Sequence, residues 1–319
     1  MARKPRYYEG MSSEEYWKKR AEDLDKASKK AEDKFLKEVS SIYKKAFLDA
    51  KKELYEFYDK YSKENNITMQ EAIKELTPAD AREHQKKLKE LKELYDKTGN
   101  EYYLREYKKL SSRIKVTRFH KLLDNINTEL TKATGDAQIA MEDYLLGLYT
   151  TEHKEFLELF GIENKDYINS EIVDKIINYP YAGKQFSDRI WANKDALLGW
   201  IEQDLATGLI RGLSIQKMAK ALMERLETAY YQSERLVRTE TNYILNQAHL
   251  QGYKDAGLGR YRIDAHLDSR TSKICRQLDG KVFNMEDAVV GVNMPPLHPL
   301  CRTRITPVVE DIKAKYNLD

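Results

Sequence analysis

"YRIDAHLDSRTSKICRQLDGKVF" (residues 261–283) is where the reading of this chain turns. Tyr261, Ile263, Ala265 and Leu267 alternate with Arg262, Asp264 and His266, the period of a half-buried strand. Asp268 to Thr271 follow as a turn: an Asp-x-x-Thr sequence satisfies its own backbone amides. Thr271 caps a short helix over "SKICRQL", which stops at Gly280. "KVF" and, further on, "RTRITPVV" read as two more short strands. Upstream of residue 257 the apolar period is helical. The expected fold is therefore mainly α, with long helices and a helical bundle closed by a small C-terminal α+β domain. Its parts are a coiled-coil-like long-helix region over 1–134, a helical domain over 135–257, and the small domain over 258–319.

Working toward the N-terminus, residues 228–256, 214–225 and 188–206 each predict a helix, and 161–191 is turn-rich. A long helix is expected over 101 to about 133, ending near Gly135, with further helices from 136. Thr77-Pro78 starts the helix before it, Pro at its first position, and Gly99 stops that helix. Thr68 caps a short one. Residues 14 to about 62 read as one helix roughly 70 Å long. Its stripe of Trp17, Ala21, Leu24, Ser28, Ala31, Phe35, Ile42, Ala46, Ala50, Leu54, Phe57 and Tyr61 follows an approximate 4-3 spacing, which asks for bundle or coiled-coil packing.

Composition narrows the function. The 319 residues carry 55 Lys+Arg against 52 Asp+Glu, a net charge of +3, so the whole-chain field argues for no particular partner. No apolar run reaches the ~18 residues of a membrane span, and the basic opening "MARKPRYYEG" has no apolar stretch behind it, so no secretory signal is expected. Two cysteines in so long a chain exclude a disulfide scaffold and fit a reducing compartment. The excess of positive charge lies in 1–134 and peaks in "EYYLREYKKLSSRIKVTRFHK" (101–121). There Arg105, Lys108, Lys109, Arg113, Lys115, Arg118 and Lys121 are candidate contacts to a nucleic-acid backbone. Arg105, Lys109 and Arg113 are spaced by four along one helix face. Tyr102, Tyr103 and Tyr107 would stack on bases or pack on neighbours.

Both cysteines, Cys275 and Cys301, fall near the C-terminus, with His266 and His298 close by and four of the seven prolines around them. His298 and Cys301 are two residues apart in a proline-stiffened loop. Two Cys and two His would complete a tetrahedral structural zinc site. A pair of buried structural thiols is the other reading, a disulfide is disfavoured by compartment, and a Cys275–His298 nucleophilic dyad would need an orienting acid such as Asp268 or Asp279. On the preceding helix, Arg238, Glu240 and Asn246 of "RTETNYILNQ" either face the C-terminal unit or lie in solvent. Phosphate-binding loops and metalloprotease motifs are absent.

The ordered set "RTETNYILNQA", "LDSRTSKICRQLDGKVF" and "GVNMPPLHPLCRT" resembles phage minor head proteins of the phage Mu protein F-like head morphogenesis group. "QFSDRIWAN" and "GLIRGLS" look like the same group, so the resemblance covers about 185–310. It carries over an Arg-Thr-Glu with a following Asn (Arg238, Glu240, Asn246), an Asp-x-Arg-Thr turn (Asp268, Arg270, Thr271), a Leu-Asp-Gly helix end (Asp279, Gly280) and Pro-Pro-x-His-Pro-x-Cys-Arg (Pro296, Arg302). Many relatives have Cys-x-x-Cys where this chain begins with Ser272, so a zinc knuckle carried over loses one ligand unless His266 substitutes. The resemblance implies a minor structural protein of a tailed-phage virion. It would be assembled in the host cytoplasm, contact portal, capsid or scaffolding proteins, lie in the capsid interior or by the portal, form oligomers, and act in DNA packaging or ejection. A DNA-binding ejection protein is the alternative, and a Cys-dependent enzyme a third reading. Some relatives carry toxin domains after this block; with nine residues after Glu310, none is expected here.

Overall fold

The computed structural model describes residues 13–62, 67–159, 162, 170–308 and 310–312. In chain order the elements are α1 (Ser13–Tyr61), α2 (Met69–Ala72), α3 (Pro78–Thr98), α4 (Glu101–Ser111), α5 (Arg118–Leu159), α6 (Ser170–Ile177), α7 (Phe186–Ile210), α8 (Ile215–Asp255), β1 (Arg260–Asp264), α9 (Lys273–Leu278), β2 (Val282–Asn284) and β3 (Arg304–Pro307). The mainly helical fold with a small α+β end is as expected. Two helices are longer than expected. The helices expected over 214–225 and 228–256 are one continuous α8, Ile215–Asp255, and α5 runs through Gly135 without a break.

The expected helix over 101–133 divides into α4 and α5 for a visible reason. Ile114, Val116 and Thr117 lie in the intervening stretch, and β-branched residues favour extended backbone. The Leu76 amide donates to the Val116 carbonyl and the Arg118 amide to the Lys74 carbonyl, 3.1 and 3.0 Å. Thr117 then starts α5 by accepting from the His120 amide, while its own amide donates to His120 Nδ1. Thr68 caps α2, Thr77 caps α3, Asn100 caps α4, and Gly99 ends α3 in the left-handed region at φ +69°, positions set by local chemistry.

The chain divides into two compact units. The first is Met1–Leu36, Met141–Arg189 and Glu234–Asp319; the second is Lys37–Ala140 and Ile190–Ser233. The boundary expected at 134 falls inside α5, and the one at 257 just beyond α8. No described helix is long and apolar enough to cross a membrane.

In the second unit Ala46, Ala50, Leu54 and Phe57 of α1 are buried as the stripe requires. Trp191 is enclosed there: Tyr102 stacks on it with centroids 4.5 Å apart, Tyr103 meets it edge-on, and its Nε1–H donates to Gln138 at 2.7 Å. In the first unit the stripe departs from expectation. Ala31 is exposed and Glu32 is buried, held by Arg238.

The first unit also contains the sheet, antiparallel in the order β2-β1-β3, with Tyr261 opposite Phe283 and Ile263 opposite Ile305. Its core joins Tyr261, Ile263, Met285, Met294 and Ile305 to Phe156, Leu250 and Tyr253. Ile263 spends its own amide and carbonyl on Lys281 and Gly280. The amide and carbonyl of Ile305 therefore point away from β1, toward an edge α8 covers. Asn246 Oδ1 accepts from the Ile305 amide at 2.9 Å, and Tyr253 Oη–H donates to the Ile305 carbonyl at 3.2 Å. Two helix side chains stand in for a fourth strand and close that edge.

Candidate functional site

Three ligand-bearing side chains meet beside the sheet. Cys275 sits in α9, whose N-cap Ser272 accepts from the Cys275 amide at 3.3 Å. Thr271, expected as that cap, instead serves the turn before it. Its hydroxyl accepts from the Asp268 amide and donates to the His266 carbonyl, both at 2.7 Å. His298 and Cys301 close a tight turn in which the Cys301 amide donates to the His298 carbonyl at 3.2 Å. Pro299 takes the second position and Leu300 the third, at φ +60°. That is the pattern of a type II turn, whose third position usually falls to glycine. The Leu300 amide donates to Thr239 Oγ1 on α8 at 3.1 Å, which holds the turn in place.

Cys275 Sγ lies 3.1 Å from His298 Nε2 and 3.8 Å from Cys301 Sγ. Both cysteines are buried free thiols. His298 Nδ1 lies 2.8 Å from the Pro299 carbonyl. A carbonyl only accepts, so the proton sits on Nδ1, and the Nε2 lone pair faces the sulfurs. Ser272 Oγ–H donates to the same Nε2 at 2.9 Å. Burial is the main cause that pushes the Cys301 thiol up, with Cys275 adding to it. Among the described residues Cys275, His298 and Cys301 form a group able to hold a metal, their ligand atoms all within 4.8 Å of one another. The expected fourth member, His266, is not in this group. Its side chain is 52% exposed and faces Asp268 Oδ2 at 3.8 Å. His266 lies two residues beyond β1, where the alternation continues past buried Ala265 and leaves the His266 side chain outward.

The other motif residues frame this site. Arg302 grips Asp268 with two hydrogen bonds, 2.8 and 2.6 Å, and the Arg270 amide donates to Asp268 Oδ1 at 2.8 Å. The Arg302 guanidinium is the largest cause holding the Asp268 carboxyl far below its ordinary value. Asp268 is thus spent on Arg302, and His298 is oriented by a backbone carbonyl, so neither arrangement matches a Cys-His dyad with an orienting acid. Asp279 Oδ1 accepts from the Ala265 amide at 2.9 Å, and Gly280 takes φ +73° beyond α9. Pro296 is buried after a cis bond from Pro295.

On α8 the three polar residues diverge. Asn246 faces the sheet, as does Asn242, whose side-chain Nδ2–H donates to the Thr303 carbonyl at 2.9 Å. Asn242 and Thr239 are contacts not singled out from the sequence, although both lie on the Asn246 face of α8 at helical spacing. Glu240 pairs with Arg189 at 2.9 Å, and Arg189 also donates to the Tyr181 carbonyl. Burial pushes the Glu240 carboxyl up to about 7, only partly opposed by Arg189. Arg238 turns to Glu32, Glu234 and Asp33.

The seven basic residues of 101–121 do not form one face. Arg113, Lys115 and Arg118 lie outside α4. Six have acidic partners: Arg105 with Glu106 and Asp195, Lys109 with Glu106, Arg113 with Asp124, Lys115 with Glu75, Arg118 with Glu71, and Lys121 with Asp80 and Glu83. Lys108 is exposed. Tyr102 and Tyr103 pack on Trp191 rather than presenting free rings.

Residues 200–306 match the family described as phage Mu protein F like protein, which bears out the resemblance over that stretch. Over 190 residues the chain is 27% identical to an NAD(+)–arginine ADP-ribosyltransferase EFV of Enterococcus faecalis (strain ATCC 700802 / V583), an alignment covering 56% of this chain and 38% of that protein. The chain thus spans less than two fifths of that relative's length. No solved structure matches.

Proposed function

We propose that this chain, with its phage Mu protein F like segment, is a minor structural protein of a tailed-phage head. It acts by binding and assembly rather than by chemistry. The carrying observation is the coincidence of that segment, 200–306, with the sheet and the helix that closes it. There the polar motif residues are consumed internally: Asp268 by Arg302, Glu240 by Arg189, Asn246 by β3. Groups spent on holding a fold are not available to a substrate. The partners in this reading are portal, capsid or scaffolding proteins, and the protein resides in the virion, in the capsid interior or near the portal. Co-expression with the portal, capsid and scaffolding proteins encoded beside it should recover a stable complex by affinity capture and size exclusion. Failure to associate with any of the three would remove the reading.

The relative's printed activity concerns a protein more than twice the span shared here. Incubation of this chain with NAD+ and an arginine acceptor should yield no ADP-ribosylated product; product formation would make it an enzyme.

DNA contact is the second reading, favoured by α1 rather than by 101–121. In the second unit α1 exposes Lys37, Lys44 and Lys45, which have no acidic partner among the described residues. Phosphate contacts of this kind release counterions, so binding should weaken steeply with salt. A gel-shift titration showing no complex at low salt would dismiss it.

A further inference from the structure

We propose that Cys275, His298 and Cys301 bind one zinc ion, with the fourth coordination position on the Ser272 side and open to a solvent ligand. The spacing of the sulfurs is the first argument. In a tetrahedral site with zinc–sulfur bonds of 2.3 Å, two sulfurs stand about 3.8 Å apart, and Cys275 and Cys301 are 3.8 Å apart. That separation is far beyond the ~2.0 Å of a disulfide. The Cys275 Sγ to His298 Nε2 distance, 3.1 Å, needs to open by only a few tenths of an ångström to reach the mixed edge.

The second argument is the histidine. A zinc-binding imidazole offers one nitrogen lone pair while the other N–H is fixed by an acceptor. His298 Nδ1 is fixed by the Pro299 carbonyl at 2.8 Å, and the Nε2 lone pair, which accepts a hydrogen bond from the Ser272 hydroxyl, faces Cys275.

Charge supplies the third. Arg302 follows Cys301 in the chain, but its charge is matched by the two hydrogen bonds to Asp268. Two thiolates and a neutral imidazole would therefore need a dication. On binding, each thiol gives its proton to solvent as its zinc–sulfur bond forms, so two protons leave and the centre is neutral. Zinc accepts this mixed sulfur and nitrogen set.

The fourth position follows from what surrounds Nε2. Ser272 Oγ stands 2.9 Å from it, beside Cys275, whereas His266 is turned toward Asp268. A neutral hydroxyl is a weak ligand compared with a thiolate. The ion should thus be held by three strong ligands and exchange faster than in a closed four-thiolate or thiolate–imidazole site.

The test uses the full chain, purified reduced and without chelators. Elemental analysis should give one zinc per chain, released by thiol modification. Cobalt(II) substitution should give tetrahedral visible bands and a thiolate charge-transfer band. Cys275→Ser, Cys301→Ser and His298→Ala should lose the ion, while His266→Ala should retain it. Ser272→Cys should tighten zinc at least tenfold against a chromogenic chelator and raise the thiolate absorption by half. No zinc in the wild-type chain and no tetrahedral cobalt spectrum after metal addition would overturn the site. Zinc bound by the wild type but unchanged in Ser272→Cys, or lost in His266→Ala, would overturn the fourth position alone. The wild-type measurements need no variant to fold, and the outcome is independent of whether the chain assembles with a portal.

Discussion

Glu240 and Arg189 show how a buried ion pair in the first unit can cost as much as it contributes. Burial disfavours the Glu240 carboxylate more than Arg189 supports it, which leaves its pKa at about 7 against an unfolded value near 4.3. The folded state therefore holds the proton longer than the unfolded one. This contribution to stability is full below about pH 4, and it is lost as pH rises through 7. Glu240→Gln should flatten the decline between pH 5 and 8 in urea unfolding and be no less stable than wild type at pH 8. Arg189→Ala leaves a carboxylate buried without its partner and should cost about 3 kcal/mol at pH 8. Asp268 has the opposite sign. Arg302 holds its carboxyl low, so its contribution is present above about pH 4 and is lost as pH falls below that value. Asp268→Asn should weaken the acid-side loss of stability followed by circular dichroism while lowering stability at neutral pH.

At the scale of elements, two positions carry the argument. Asn246 gives β3 the edge partner that no strand supplies. Asn246→Ala leaves the Ile305 amide buried and unbonded, an expected loss of about 1–3 kcal/mol by denaturant titration. Gly135 lies inside α5, where alanine would ordinarily gain about 1 kcal/mol of helix propensity. A Cβ there would stand 1.7 Å from the hydroxyl of Tyr103, a ring only 1% exposed. Gly135→Ala should therefore destabilise the protein by about 1–3 kcal/mol, and a clearly smaller cost of the same change in a Tyr103→Leu background, which removes the ring carbon 2.4 Å from that Cβ, would show that the clash is the cause. The same position explains a misreading. A glycine at a helix end and a glycine admitting a neighbouring ring look alike in sequence, and only the packed neighbour distinguishes them. Thr68, Thr77 and Gly99 were legible because a cap is settled within a few residues by the chain's own amides.

For the molecule as a whole, the decisive feature is that each compact unit draws on separated stretches. Residues 190–233 belong with 37–140, and 1–36 belong with 141–189 and 234–319. A fragment cut at the expected boundary, 135–319, keeps 190–233 but loses the residues that bury Trp191, Tyr102 and Tyr103 among them. It should be less protected in hydrogen exchange over 190–233 than the full chain and should bind a hydrophobic dye. The full chain should not bind the dye.

What the sequence determined by itself is the class of fold, the caps at Thr68, Thr77 and Gly99, the switch from helical to strand period at 261, and the ordered motifs that match residues 200–306. These rest on local periodicity and local hydrogen bonding, which neighbouring residues specify. Tertiary structure alone decided the rest. It brought Cys275 to His298 and Cys301 while leaving His266 outside, and paired six basic residues of 101–121 with carboxylates, most of them from other helices. It also buried Glu240 against Arg189. Each of those outcomes depends on which distant side chain fills the facing position, and that is set by packing of the whole core rather than by spacing along the chain.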